Sequence, residues 1–157
     1  MCHFIRQSIF LLLLPISAYA DLGSSQVTQA ARLAAPRVLW DATSIVGGDF
    51  NGDEKQDAAI LGTLQQRVFV AVVLATSSKK LKTEVLSFGI ETDATDSICQ
   101  LPAKLVVETL ECSPMEELLP GCRPSPKAAS LVLYGGECDP INLYWDHLKN
   151  KLAWWRV

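Results

Sequence analysis

Beyond its first twenty residues the 157-residue chain holds a single histidine, His147, and neither a G-x-S-x-G nor an H-E-x-x-H pattern. Those spacings bring nucleophile, base and metal ligands together in the hydrolases that carry them, so their absence argues against both types. Clustered positive charge is also scarce. Lys79, Lys80 and Lys82 form the one basic group, whereas nucleic-acid binding needs many Lys and Arg to neutralise phosphates. No apolar run after residue 20 approaches the roughly 20 residues that cross a bilayer as a helix. There is no C-x-x-C pair, which leaves the cysteines poorly spaced for zinc.

The first twenty residues read as a different kind of segment. His3 and Arg6 precede an apolar run from Ile9 to Leu14, and Ala18-Tyr19-Ala20 is a small-x-small cleavage site. This is the layout of a signal peptide removed on export, too short for a membrane anchor. The expected mature chain is therefore soluble and periplasmic or secreted. Without Arg6 it carries thirteen Lys and Arg against seventeen Asp and Glu, a net charge of about −4. Residues 21–157 suffice for one domain with its own core.

Four cysteines remain after cleavage: Cys99, Cys112, Cys122 and Cys138. An even number in an exported chain favours disulfides. Residues 104–111 read as a strand, which at roughly 3.3 Å per residue carries Cys99 and Cys112 beyond bonding reach. Pairing this strand antiparallel with residues 130–134 leaves Cys112 and Cys122 in the connecting loop and brings Cys99 to Cys138. The nested pairing Cys112–Cys122 and Cys99–Cys138 is the expectation.

Residues 21–36, small and polar with an Ala-rich patch, are expected to form a flexible lead or one short helix. The β domain then occupies 37–157. Short segments rich in β-branched and aromatic residues predict strands over 38–46, 58–62, 68–75, 81–88, 104–111, 130–134, 141–146 and 152–157. The nearly unbroken apolar run 67–75 predicts a central strand covered on both faces, followed by a turn at Ser77 to Lys80 and a half-exposed neighbour. The fold expected is all-β: one domain of twisted antiparallel sheets forming a small sandwich, barrel or partial-propeller-like unit.

One turn stands out chemically. In residues 49–57, Asp49, Asn51, Asp53 and Asp57 offer side-chain oxygens, and Lys55 offers its backbone carbonyl. A hard cation such as calcium takes six to eight oxygens, and the alternating positions of a tight loop aim several of them inward. The alternative is a solvated acidic turn, since Asp, Asn and Gly favour turns for other reasons. A helix-loop-helix site is not expected, because Ile60 stands where the bidentate Glu belongs and a strand follows.

The run Gly48-Asp49-Phe50-Asn51-Gly52-Asp53, with Lys55, Asp57 and the apolar Ala58-Ala59-Ile60-Leu61, resembles one blade motif of the FG-GAP or VCBS repeats. That resemblance implies a bound calcium ion. Glu54 replaces the family's second Gly, at a cost on the order of 1 kcal/mol if the position is left-handed. No second copy of the motif occurs, so a complete propeller is not expected. At the other end, Ile141-Asn142-Leu143-Tyr144-Trp145-Asp146, a polar turn and Leu152-Ala153-Trp154-Trp155-Arg156 look like the terminal hairpin of small exported bacterial β-proteins that carry such a loop. Some proteins of that look are periplasmic inhibitors of lysozyme-type peptidoglycan hydrolases.

These features predict an exported calcium-binding protein, not an enzyme, that acts by binding an envelope protein, with a cell-wall hydrolase as the partner the resemblance implies. The irregular loop 113–127 carries four prolines, and such loops are where binding surfaces often lie. Within it Glu116, Leu118 and Arg123 are the candidate partner contacts, with Trp154 on the terminal hairpin 141–157. Alternatives are a carbohydrate or peptidoglycan module using Trp154 or Trp155 as a stacking platform, and a structural accessory domain. Trp154 and Trp155 must point to opposite faces of their strand, and a terminal Trp pair is also what a core plus a shielded edge would use.

Overall fold

The computed structural model describes residues 22–76, 80–91 and 94–157. The expected signal segment 1–20, most of the turn at Ser77 to Lys80, and Lys79 of the basic group lie outside the described residues. Among the described residues one helix, α1 (Ser24–Ala34), precedes nine strands: β1 (Leu39–Gly48), β2 (Asp57–Leu64), β3 (Arg67–Leu74), β4 (Lys82–Ile90), β5 (Ser97–Ile98), β6 (Lys104–Thr109), β7 (Ala129–Tyr134), β8 (Ile141–Asp146) and β9 (Lys151–Trp155). They form an all-β domain of two sheets in the orders β1-β2-β3-β4-β5 and β6-β7-β8-β9. Among the described residues, no helix is long and apolar enough to cross a membrane.

Period-2 alternation sorts each strand's side chains. Val68, Val70, Val72 and Leu74 of β3 and Ala59 and Leu61 of β2 join Leu131, Leu133, Ile141, Leu143 and Trp145 of the second sheet in one core. Their neighbours on the opposite face, Ala58, Ile60, Ala71 and Val73, pack on Val27 and Ala31 of α1. This two-sided cover explains why β3 reads as a continuous apolar run rather than an alternating one. Small residues on both sides, Ala31 against Ala58 and Ala71, let the helix lie close to the sheet. At its start, the Gly23 N–H donates to Gln26 Oε1 at 3.3 Å, and Pro36 restricts the residue before it to extended backbone, so the helix stops there.

The second sheet has a covered outer face as well. Cys112, Cys122 and Tyr144 form a small cluster there, with Leu110, Leu119, Ala153 and Trp155 packed against it. The lid is the loop 113–127, tied by the Cys112–Cys122 bond across Cα atoms 5.6 Å apart. Cys99 is bonded to Cys138, also at 5.6 Å. β6 pairs antiparallel with β7 from Lys104↔Tyr134 to Thr109↔Ala129, so one bond lies in the loop that connects this hairpin and the other at its open end, the expected nested pairing.

One strand departs from the sequence reading. β5 has only two residues and runs parallel to β4, although the expected sheets were antiparallel throughout. Two residues are too few for any periodic signal. Backbone bonds hold it: Gly89 N–H to the Asp96 carbonyl at 2.8 Å and Glu91 N–H to the Ile98 carbonyl at 3.0 Å. The Arg156 guanidinium adds bonds to the carbonyls of Thr95 (3.2 Å), Ser97 (2.8 Å) and Asp139, fastening the end of the last strand to β5.

Candidate functional site

The turn after β1 reaches β2 at the pair Gly48↔Asp57, so residues 49–56 form a strand-to-strand connection. Phe50 drops into the core, 3 % exposed, and fixes the entrance. Gly52 (φ 72°) and Glu54 (φ 62°) both take left-handed backbone, on either side of Asp53. Glu54 therefore occupies the strained conformation that its position in the motif implied. Its carboxylate meets Lys127 Nζ at 2.8 Å, with both side chains mostly in solvent, so the pair contributes little to stability.

The side-chain oxygens of the turn are aimed at its own amides. Asp49 accepts from the N–H groups of Asp53 (3.1 Å) and Glu54 (2.8 Å), Asn51 from Asp53 (3.0 Å), and Asp53 from Lys55 (3.1 Å). Among the described residues no three of His, Cys, Asp or Glu close into a metal cage. Each of these oxygens keeps a second lone pair for a cation. Lys55 Nζ lies 2.8 Å from Asp53 Oδ2, and that bond, foremost, raises the lysine's pKa.

Asp57 is the unusual member. It is 1 % exposed, accepts from the N–H groups of Phe50 (3.0 Å) and Ala75 (2.9 Å), and enters none of the ion pairs among the described residues. Burial pushes its pKa up to about 6, and the negative charges of Asp53 and Asp49 push the same way against the two amide bonds. A buried carboxylate with no ion pair of its own, near two others of which one is paired with Lys55, is an arrangement that a divalent ion would relieve further. The oxygen-only donor set of Asp49, Asn51, Asp53, Asp57 and the Lys55 carbonyl fits a hard cation.

Two further segments meet this turn at the same end of the domain. The Ala129 N–H, at the end of the disulfide-tied loop, donates to the Asp49 carbonyl at 2.8 Å. The hairpin tip between β8 and β9 brings the ring of His147 against Gly52: a methyl group at residue 52 would stand 3.8 Å from His147 Cε1 and 3.9 Å from Ala128 Cβ. Burial, then the charge of Arg123, lowers the His147 pKa, while Asp146 and Asp49 oppose them. The tip itself is built on Asp146, 1 % exposed, whose Oδ1 accepts the N–H groups of Leu148 (2.9 Å) and Lys149 (3.0 Å). Those bonds, foremost the one from Lys149, hold its pKa down. Asn150, at φ 52°, takes the left-handed position that a Gly turn would fill.

The disulfide-tied loop sits on this tip through a glycine. Gly121 has φ 71°, and a methyl group there would stand 2.7 Å from Asp146 Cγ and closer still to Oδ1. The Gly121 carbonyl accepts the His147 N–H at 2.9 Å, and Tyr144 Oη donates to the Pro120 carbonyl at 3.1 Å. Of the candidate partner contacts, Glu116, Leu118 and Arg123 all lie on the exposed side of the loop. Leu118 is 62 % exposed and its neighbour Met115 56 %, while Leu119 turns inward onto Cys112, Cys122 and Tyr144.

Trp154 stands apart from that group. It faces inward opposite Leu143, half-buried, with its ring edge-on to Phe88 at a centroid distance of 5.9 Å. Trp155, on the other face, is half-buried beneath the loop cluster. His147, Asp146 and Gly121 entered the site only with the fold, because their proximity depends on how the loop lies across the tip. Comparison with family models, with curated proteins and with solved structures finds no match for this chain.

Proposed function

We propose that the protein binds one calcium ion in the turn 49–57 and acts by binding a partner protein in the cell envelope through the loop 113–127. The observation that carries this reading is a shared end of the domain: an oxygen-rich turn with a buried Asp57, outside the ion pairs among the described residues, lies beside a bridge-tied loop that holds Met115 and Leu118 out in solvent. Asp49, Asn51, Asp53 and Asp57, with the Lys55 carbonyl, hold the ion. Calcium supplies a charge that offsets the three crowded carboxylates and crosslinks the turn. The loop's prolines and its disulfide reduce the entropy lost on docking, which favours affinity. The resemblance of the motif and the terminal hairpin to exported inhibitors points to a peptidoglycan hydrolase as the partner, bound without turnover.

A glycan module would need aromatic faces in solvent, and the half-burial of Trp154 and Trp155 lends that alternative less support. The test has two arms. Binding to the folded state alone stabilises by about 2.7 kcal/mol at a hundredfold excess over Kd, so calcium raises the melting temperature by several degrees over chelator. Equal melting temperatures sink the metal half of the reading. In the second arm, an immobilised Glu116→Ala, Leu118→Ala, Arg123→Ala variant loses capture of a purified lysozyme-type hydrolase that the parent retains. Capture by the variant as strong as the parent's would reduce the loop to a connector.

A further inference from the structure

We propose that the turn 49–57 regulates the docking loop, so that its occupancy sets the order of residues 120–129 and, through them, the affinity for the partner. The inference rests on the calcium reading above and extends it to the chain's own linkage between turn and loop. Three contacts join the two. The Ala129 N–H is bonded to the Asp49 carbonyl at 2.8 Å, so the residue that supplies a metal-binding carboxylate also anchors the loop's exit by its backbone. Glu54 reaches Lys127 at 2.8 Å from the middle of the turn. Gly52 faces Ala128 Cβ and the His147 ring, and the His147 N–H is bonded to the Gly121 carbonyl at the loop's inner end.

The turn therefore touches the loop at its exit directly and near Cys122 through the hairpin tip. Moving residues 49–54 displaces at least one of these contacts. Glu54 holds left-handed backbone in the turn, and the carboxylates of Asp49 and Asp53 hold its amides, so a cation that draws on those oxygens is felt first by the groups bonded to the turn. Coupling of this kind is reciprocal: whatever calcium does to the loop, the loop does to calcium affinity by the same factor.

Hydrogen exchange followed by mass spectrometry, on the purified protein in calcium and in chelator, tests the link directly. Chelation is expected to raise exchange in peptides covering 120–129 and 146–150 at least fivefold more than in peptides of β3, which report global stability. The reciprocal arm titrates calcium calorimetrically into the parent and into a Cys112→Ser, Cys122→Ser variant, whose affinity is expected to fall at least about fivefold. Calcium binding by the parent with loop exchange that changes no more than β3 overturns the coupling and leaves the metal reading standing. Absence of calcium heat from the parent overturns both. Unchanged affinity in the double variant, with its β3 exchange at the parent level, also overturns the coupling.

Discussion

Replacing Gly121 with Ala tests whether the loop really depends on the hairpin tip. At φ 71° any residue with a Cβ incurs roughly 1 kcal/mol for left-handed backbone. The methyl group would also stand 2.7 Å from Asp146 Cγ. Asp146 is buried and its Oδ1 holds two backbone N–H groups, so it cannot swing aside without orphaning them, at about 1–3 kcal/mol for a lost buried bond. The expected loss is about 2–4 kcal/mol. For a domain of this size that is a fall in melting temperature of roughly 6–16 °C. Chemical denaturation of Gly121→Ala, Asp146→Ala and the double variant separates the two costs. Removing the Asp146 carboxylate abolishes the clash, so the double variant loses less than the sum of the single ones. A Gly121→Ala protein within about 0.5 kcal/mol of the parent would mean that the loop does not rest on the tip as described.

Three other outcomes are expected. In chelator, the raised pKa of Asp57 gives stability that is complete below about pH 4 and lost as pH rises through about 6, a total on the order of 3 kcal/mol; calcium at pH 7 restores it, and denaturation midpoints across pH 4–7 that stay level would refute the assignment. Ile60→Ala, fully buried between the sheet and α1, costs about 2–5 kcal/mol, whereas Leu33→Ala, 78 % exposed on the same helix, stays within about 0.5 kcal/mol; urea midpoints distinguish them. Trp154→Ala lowers stability by about 2–4 kcal/mol through lost packing on Phe88, and a variant of parental stability would return Trp154 to the surface as a binding residue.

Much of this architecture was legible in the chain because each signal was local. The β-branched runs located eight strands, and the unbroken apolar stretch of β3 announced cover on both faces. The cysteine spacing around one hairpin suggested which sulfurs meet. The helix stayed undecided between lead and helix because its buried stripe is chiefly Val27 and Ala31, and those residues have meaning only against the small faces of Ala58 and Ala71. The alternating oxygens of the turn were readable, but the near-complete burial of Asp57 was not, since it depends on Ala75 at the end of another strand. Nor did anything local mark Gly121 as a neighbour of Asp146 and His147; a loop folding over a hairpin tip leaves no period in either segment.

Each sheet is built from one continuous stretch of chain, β1 to β5 and then β6 to β9. The passage from one to the other, residues 100–103, belongs to no ladder. A cut after Gln100 therefore severs no strand pairing. Cys99 stays on one fragment and Cys138 on the other, so a nicked molecule remains covalently joined. The two stretches share one apolar core and are joined outside it by polar contacts such as Glu54 to Lys127 and Arg156 to the Ser97 carbonyl. Chain continuity and sheet membership thus coincide on both sides of residues 100–103, so the break between sheets is also a break in sequence.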